Sequence, residues 1–411
     1  YGAVRILTQH RTWAKPLESV AALVAELFGT FMLVFTVGCC MLWGYQDWNY
    51  TAIGFMLMAL SYEMGPISGA HFNPALSIAV GVCGRLSWPR VASHVVVQCL
   101  GAVLASCLFS ALFEPVLLAP NLENYTLLHT AFIETFFTCM LCLVHVNCQL
   151  SMKRNPVNDN NNYFGLAVGF VYIAAGHAGG DVSGACLNPA IALGLSSSGG
   201  VAGAAEHFKW AGYYAGFEVA AGVLAAVLFH VMRPEEFQHK LSVDEKMRFE
   251  PPELMKFTAE FVATFFFCIT FVLNVVMDSS GVWWSAAAAF ISIMCALGDI
   301  CVGFLNPAAV LALVGARRLD ETALLHVIAQ LSAGLTAGFV AADFHRSGTS
   351  RDVVYGLRPK DHSWPSIIVG EAIFTFFFCF TLLAQFVGKV PLDPASKQYF
   401  PNYVAVGCCI V

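Results

Sequence analysis

The feature that most constrains this chain is a series of apolar stretches, each about 20 residues long. A helix of that length crosses a hydrocarbon core of roughly 30 Å. The strongest stretches are Val20–Trp43, Val91–Phe113, Thr130–Leu150, Trp210–Met232, Thr258–Met277, Leu324–Ala342 and Ile367–Val387. Shorter stretches, richer in Gly or Ala, are Thr51–Met64, Phe164–Ala175, Trp283–Leu297 and Tyr403–Val411. Because backbone polar groups must be paired in lipid, and the strict alternation of a membrane barrel is absent, the sequence predicts an all-α membrane protein.

Composition supports this prediction and narrows the function. Of 411 residues, 58% are hydrophobic and 12% are charged, against about 25% charged in an ordinary soluble domain. The net charge of -6 gives no basic surface, so we expect no nucleic-acid partner. The 15 cysteines lie mostly inside apolar runs without the spacing of a zinc site, so we expect neither a metal nor a cofactor. The sequence contains no phosphate loop or nucleophile elbow, which argues against an enzyme.

The chain repeats a short motif and a glutamate at matching intervals. The motif occurs at Asn73-Pro74-Ala75, Asn188-Pro189-Ala190 and Asn306-Pro307-Ala308, and the glutamates are Glu26, Glu134, Glu260 and Glu371. Glu26 and Glu260 are 234 residues apart, and Asn73 and Asn306 are 233 apart, which predicts two modules in tandem. We predict an N-terminal segment 1–16, a first module 17–232, a charged linker 233–256 and a second module 257–411 that stops at its fifth helix. The sequence has no secretory leader and stops inside an apolar run, so we expect it to be a fragment.

Within a module, the unit of three helices and one motif occurs twice, and an odd number of crossings gives the two units opposite orientations. Asn is a favoured N-cap and Pro a favoured first helical residue, so each motif predicts the start of a short helix. Two such helices would meet near the middle of the membrane. Their positive ends would disfavour cations there, and the Asn amides would donate into a lumen that water or another small neutral solute could use.

These motifs give the chain a family resemblance. The segments AELFGTFMLVF from Ala25, SGAHFNPALS from Ser68, AVLAS after Gln98, and GACLNPA from Gly184 resemble the aquaporin (major intrinsic protein) family over most of the chain. The resemblance implies a bundle of six helices and two half-helices per pore, assembled as tetramers. It also implies that Glu26 and Glu134 brace the motif loops, and by recurrence Glu260 and Glu371 do the same. His71 is expected to orient the first half-helix.

The chain departs from this family at the expected constriction. Ile191 stands three residues after Asn188, where orthodox water channels resemble one another in having Arg. Spacing puts Ile53 at the second-helix position, Ala185 at the loop position, and Gly176 or His177 at the fifth-helix position. Such a constriction would be wide or hydrophobic, so we do not expect strict selectivity for water. We expect instead that the pore passes larger neutral solutes or that it is closed. In the second module, Phe304 replaces His71 and is a candidate plug.

Lys and Arg in the loops predict the orientation. Basic residues before the first helix, after the first motif and after the fourth helix would lie on one side, with the N-terminus in the cytoplasm. Two hypotheses for function follow. The chain is a passive channel for water or small uncharged solutes such as glycerol, urea or ammonia, or it is a non-conducting subunit of a larger membrane assembly. In either case the expected partners are the lipid bilayer and further copies of the chain or other membrane proteins.

Overall fold

The structure is a computed structural model that describes residues 14–42, 46–151, 163–201, 207–238, 241–301, 305–320, 323–347, 363–387 and 403–410. The helices of the first module are α1 (Ala14–Leu42), α2 (Gln46–Ser68), α3 (Pro74–Val82), α4 (Trp88–Leu112), α5 (Leu127–Leu150), α6 (Phe164–Ser183), α7 (Pro189–Val201) and α8 (Phe208–Met232). The remainder are α9 (Val243–Arg248), α10 (Glu253–Val276), α11 (Val282–Leu297), α12 (Pro307–Gly315), α13 (Leu324–Ser347), α14 (Trp364–Val387) and α15 (Tyr403–Gly407).

Seven of these helices are long and apolar enough to cross a membrane, and they coincide with the seven strongest stretches in the sequence. This result confirms an all-α, integral membrane protein. The weaker stretches also form helices. The stretch from Thr51 extends to the 23 residues of α2, and the stretch from Phe164 to the 20 residues of α6. The apolar stretches in the sequence are shorter than these helices, because Gly, Ala and single polar residues lower the hydropathy near the helix ends.

The first module is built from two interlocked units, α1–α4 and α5–α8. In each unit the first helix packs against the last, so α1 contacts α4 and α5 contacts α8. Each half-helix then packs against the last helix of the other unit, α3 on α8 and α7 on α4. Gly222 of α8 makes one of these contacts possible, since a Cβ there would collide with the Ala75 carbonyl of α3. The inverted repeat predicted from the sequence is therefore present.

The second module repeats the first with fewer described elements. Helix α10 packs against α13 and α11, and the half-helix α12 packs against α13 and α14. Helix α11 also packs against α6 and α5, so the two modules share a continuous helical interface. The tandem arrangement is confirmed, whereas the boundaries 17–232 and 257–411 stay a prediction.

The charged linker is partly buried. Its described part forms a 3₁₀ turn, Pro234–Phe237, and the short helix α9. Glu235, Glu236 and Lys246 are buried. Arg85, in the loop after α3, donates to the Glu236 carboxylate at 3.0 Å and to its backbone carbonyl at 3.1 Å. The linker is therefore tied to the first module through Glu236.

Arg233 is a fully buried cation at the junction of the modules. Its guanidinium donates to both Asp299 carboxylate oxygens, at 2.9 and 2.7 Å, and to the Ala296 carbonyl at 3.1 Å. Its Nε donates to Asn147 of α5 at 2.6 Å. One side chain therefore joins the end of α8 to α5 and to the second module.

We expect Arg233→Ala to lower the free energy of unfolding by roughly 3 kcal/mol, because it removes the buried cation paired with Asp299. A urea titration of the full chain in detergent measures the change. The control is Arg248→Ala, since Arg248 is exposed on α9 and should stay within about 0.5 kcal/mol. Equal stabilities for the two variants would contradict the role given to Arg233.

Candidate functional site

The loops that precede the three half-helices share an unusual backbone. The residue before each motif asparagine has a left-handed conformation, with φ of 48° at Phe72, 56° at Leu187 and 59° at Leu305. Ala70 and Ala185, two residues earlier, are also left-handed, with φ of 51° and 48°. Non-glycine residues in this region cost about 1–3 kcal/mol each and need support from their surroundings.

Buried glutamates supply that support. The Glu26 carboxylate accepts hydrogen bonds from the amides of His71 at 2.9 Å and Phe72 at 2.7 Å. Glu134 does the same for the amides of Cys186 at 2.9 Å and Leu187 at 2.8 Å. In the second module, Glu260 accepts from the Leu305 amide at 3.0 Å.

Glu371, the fourth predicted brace, is exposed on α14. The other three braces each contact a loop that leads into an Asn-Pro-Ala segment. Such a loop for Glu371 is not among the described residues, so its role as a brace stays a prediction.

A second polar residue assists each brace, and sequence reasoning missed this role. Gln98 of α4 donates to Glu26 at 2.8 Å, and Gln330 of α13 donates to Glu260 at 2.8 Å. The matching residue of α8 is Glu218, whose carboxylate accepts a hydrogen bond from the backbone amide of Asn188 at 2.7 Å. The sequence did indicate a role for Glu218, because burying a lone carboxylate in the apolar stretch that forms α8 costs free energy unless the carboxylate has a partner.

The two half-helices of the first module meet at their tips. Asn73 caps α3 by accepting from the Ala75 amide at 2.9 Å, and Asn188 caps α7 through the Ala190 amide at 2.9 Å. Each amide group also donates to the opposite loop: Asn73 to the Leu187 carbonyl and Asn188 to the Phe72 carbonyl, both at 2.8 Å. An Asn side chain carries two N–H donors, so each of the two asparagines uses one of its donors in this reciprocal pair.

His71 lies beside this tip, in a cluster of aromatic rings. Its Nδ1 is 3.1 Å from the Ser77 hydroxyl of α3, which supports the expected role in orienting that half-helix. Its ring centroid is 5.4 Å from that of His94 and 5.5 Å from that of His145. Sequence reasoning did not select His94 or His145, although both interrupt apolar stretches.

A cavity of about 690 Å³ opens on one side of the tip contact. Its wall includes Ile53 of α2, Ile191 of α7 and Cys186, together with Tyr50 and Tyr172. Ile53 is 3% exposed and Ile191 is fully buried, so the cavity wall is apolar at these two positions. At position 191 the wall therefore carries a hydrocarbon side chain in place of a guanidinium.

Tyr50 takes the place expected for the fifth-helix residue, and the sequence did not predict it. Gly176 and Gly180 lie one turn apart on α6, and a Cβ on either would collide with the Tyr50 side chain. These two glycines therefore make room for a tyrosine that comes from α2. At this point of the wall, the polar group is therefore the Tyr50 hydroxyl from the neighbouring helix α2.

Three of the predicted lining positions, Gly176, His177 and Ala185, are not part of the cavity wall. His177 is not part of the cavity wall; it packs at the module junction, its ring 5.7 Å from that of Tyr50 and against Gly281 of the second module. Gly176 is covered by the Tyr50 side chain and does not line the cavity either. Ala185 is fully buried and does not line the cavity, whereas its neighbours Gly184 and Cys186 do.

The second module has one comparable half-helix. Asn306 caps α12 by accepting from the Ala308 amide at 2.9 Å, and it is only half-buried. Phe304, the candidate plug, lies outside the described residues. The described part of this module therefore repeats the capped half-helix without a second one facing it.

Comparison with known proteins agrees with this architecture. The family model for the major intrinsic protein matches three overlapping segments, residues 13–196, 121–272 and 248–393. Nodulin-26 from Glycine max is 35% identical over 186 residues, which cover 42% of this chain and 65% of that protein. Aquaporin NIP1-1 from Oryza sativa subsp. japonica is 30% identical over 228 residues, covering 52% of this chain and 75% of that protein. The chain thus spans about two thirds of the length of such relatives.

A solved structure, the aquaglyceroporin from Plasmodium falciparum, aligns with a TM-score of 0.44 and 22% identity, covering 52% of this chain and 95% of that one. The paired half-helices in a bundle of membrane-spanning helices define a protein of the channel class. The matched segments extend over most of the chain, which belongs to the major intrinsic protein family. Members of this family are membrane channels and not enzymes.

We expect Glu134→Gln to lower the free energy of unfolding by roughly 1.5–3 kcal/mol, because the two buried amides of the second motif loop lose a charged acceptor. A urea titration in detergent measures this. Glu63→Gln is the matched control, since Glu63 is exposed on α2. A Glu134→Gln variant as stable as the control would show that the loop does not need this carboxylate.

Proposed function

We propose that the chain is a membrane channel that passes water and small uncharged solutes through the first module. The observation that carries this proposal is the reciprocal pair of hydrogen bonds between the half-helix tips, from Asn73 to the Leu187 carbonyl and from Asn188 to the Phe72 carbonyl. This contact brings two helix N-termini together in the middle of a bundle, next to a cavity that reaches the surface.

The electrostatics of this arrangement favour neutral solutes. Two helix N-termini carry partial positive charge, which disfavours a cation at their meeting point. Anions face a different barrier, because Ile53 and Ile191 offer no donor to replace their hydration shell. Ions of both signs therefore pay a cost that a neutral solute avoids.

The walls favour a solute with both apolar and polar sides. Ile53 and Ile191 present hydrocarbon, whereas Tyr50, Tyr172 and the Cys186 loop present polar groups to the same cavity. A polyol such as glycerol has a CH face and a hydroxyl face that match such a wall. Water, urea and ammonia are smaller or similarly neutral, and we include them in the proposed solutes.

A second candidate function is a non-conducting subunit of a larger membrane assembly. The observation that favours it is the inner end of the cavity, where the wall includes Cys186 and Ile191 but neither Asn73 nor Asn188. Helix α14 also exposes large aromatic side chains, with Phe374 at 71% and Phe376 at 68%. These faces would contact lipid, another copy of the chain or another membrane protein.

We also propose that the N-terminus faces the cytoplasm. Arg85 and Arg90 follow the first half-helix on the same side of the bundle as the linker, and basic residues are enriched in cytoplasmic loops.

Stopped-flow light scattering of vesicles containing the full chain tests the channel. We expect water or glycerol permeability at least roughly fivefold above that of protein-free vesicles, because the path replaces transfer through hydrocarbon. Permeability equal to that of empty vesicles for both solutes would reject the channel and favour the second candidate.

The variant Ile191→Trp tests whether solutes cross the protein through the cavity that Ile191 lines. The larger ring should occlude the cavity beside Ile53 and lower glycerol permeability by roughly tenfold. The control is Leu311→Trp, since Leu311 is 59% exposed on α12 and lies away from the cavity. Glycerol permeability that is unchanged by Ile191→Trp would place the path elsewhere.

A further inference from the structure

The wall of the first-module cavity includes residues of the second module. Val276 ends α10, Met277 and Asp278 follow it, and His345 lies near the end of α13. All four line the same cavity as Tyr50 and Ile53 of the first module. The two modules are therefore not two separate channels side by side, since the second closes one side of the entrance to the first.

We propose that Met277 of the second module determines the size of solute that enters the first-module pore. This inference rests on the proposed channel function and adds a residue that controls access. Met277 follows directly on α10 and is half-buried, in contact with the first module at the cavity.

The position of Met277 is fixed from the first module. The hydroxyl of Tyr125, which precedes α5 and also lines the cavity, donates to Met277 Sδ at 2.9 Å. The thioether and the phenol thus form a bridge across the module boundary at the entrance. A methionine side chain is flexible, and this contact selects one of its conformations.

Hydrogen bonds to the first module also hold the segment that follows Met277. Trp284 of α11 donates to the Thr51 hydroxyl of α2 at 3.1 Å, and the Ser285 hydroxyl donates to the Ala174 carbonyl of α6 at 2.9 Å. Within the turn, the Ser279 amide donates to the Asn274 carbonyl at 2.9 Å. The turn between α10 and α11 is therefore held to the two helices, α2 and α6, that position Ile53 and Tyr50.

A side chain in this position acts on entry before the solute reaches Ile53 and Ile191. Shortening Met277 enlarges the entrance without touching the half-helices, and enlarging it narrows the entrance. Neither change alters the braces or the tip contact. The effect on larger solutes should therefore be separable from the effect on folding.

The test compares glycerol with erythritol, which is one carbon longer, in vesicles containing the full chain. We expect Met277→Ala to raise the ratio of erythritol to glycerol permeability by roughly threefold, and Met277→Trp to lower glycerol permeability by roughly fivefold. Met255→Ala and Met255→Trp are the matched controls, because Met255 lies at the start of α10, whereas Met277 follows its end, and Met255 does not line the cavity.

The higher ratio in Met277→Ala should come from a higher absolute erythritol permeability, which misfolding cannot produce because it can only reduce passage through the channel. A wild-type chain that conducts glycerol, with a ratio unchanged in Met277→Ala and a rate unchanged in Met277→Trp, would overturn this inference and leave the proposed function intact. A wild-type chain that passes neither solute would reject the proposed function and this inference with it.

Discussion

The structure depends on hydrogen bonds between buried carboxylates and loops with left-handed residues. Phe72 and Leu187 hold a backbone that is unfavourable for any side chain, and Glu26 and Glu134 hold a charge that is unfavourable in a membrane. Each of these costs is offset by the other, because the carboxylate accepts the amides that the loop cannot pair internally. The half-helices then begin where this contact ends, and their tips can meet.

The junction between the modules is polar at both ends and aromatic in between. Arg233 pairs with Asp299 at one end, and Tyr125 contacts Met277 at the other. Between them, the ring centroids of Phe136 and Phe266 are 4.7 Å apart, and both rings also make edge-to-face contacts with other phenylalanines. Apolar contact gives little specificity in lipid, since the tails are equally apolar, so the polar contacts at the two ends fix how the modules meet.

The candidate site shows where sequence reasoning succeeds and where it fails. The motif asparagines, the three braces and Ile191 could be predicted because fixed spacing along one chain places them. Glu218 was missed although its signal was present, since a lone carboxylate in an apolar helix was not followed up. Tyr50 gave no such signal. Its position depends on the space left by Gly176 and Gly180 on another helix, which no spacing within α2 encodes.

By itself the sequence determined the membrane-spanning helices, the inverted and tandem repeats, and the capped half-helices, because hydropathy, period and N-capping act over short distances along the chain. The tertiary structure decided which faces of those helices meet. It directed His177 to the second module, left Glu371 exposed, buried part of the charged linker, and brought Met277 to the entrance of the first module. These outcomes depend on helix rotation and on contacts between segments distant in sequence, and a pattern along one segment carries no information about its partner.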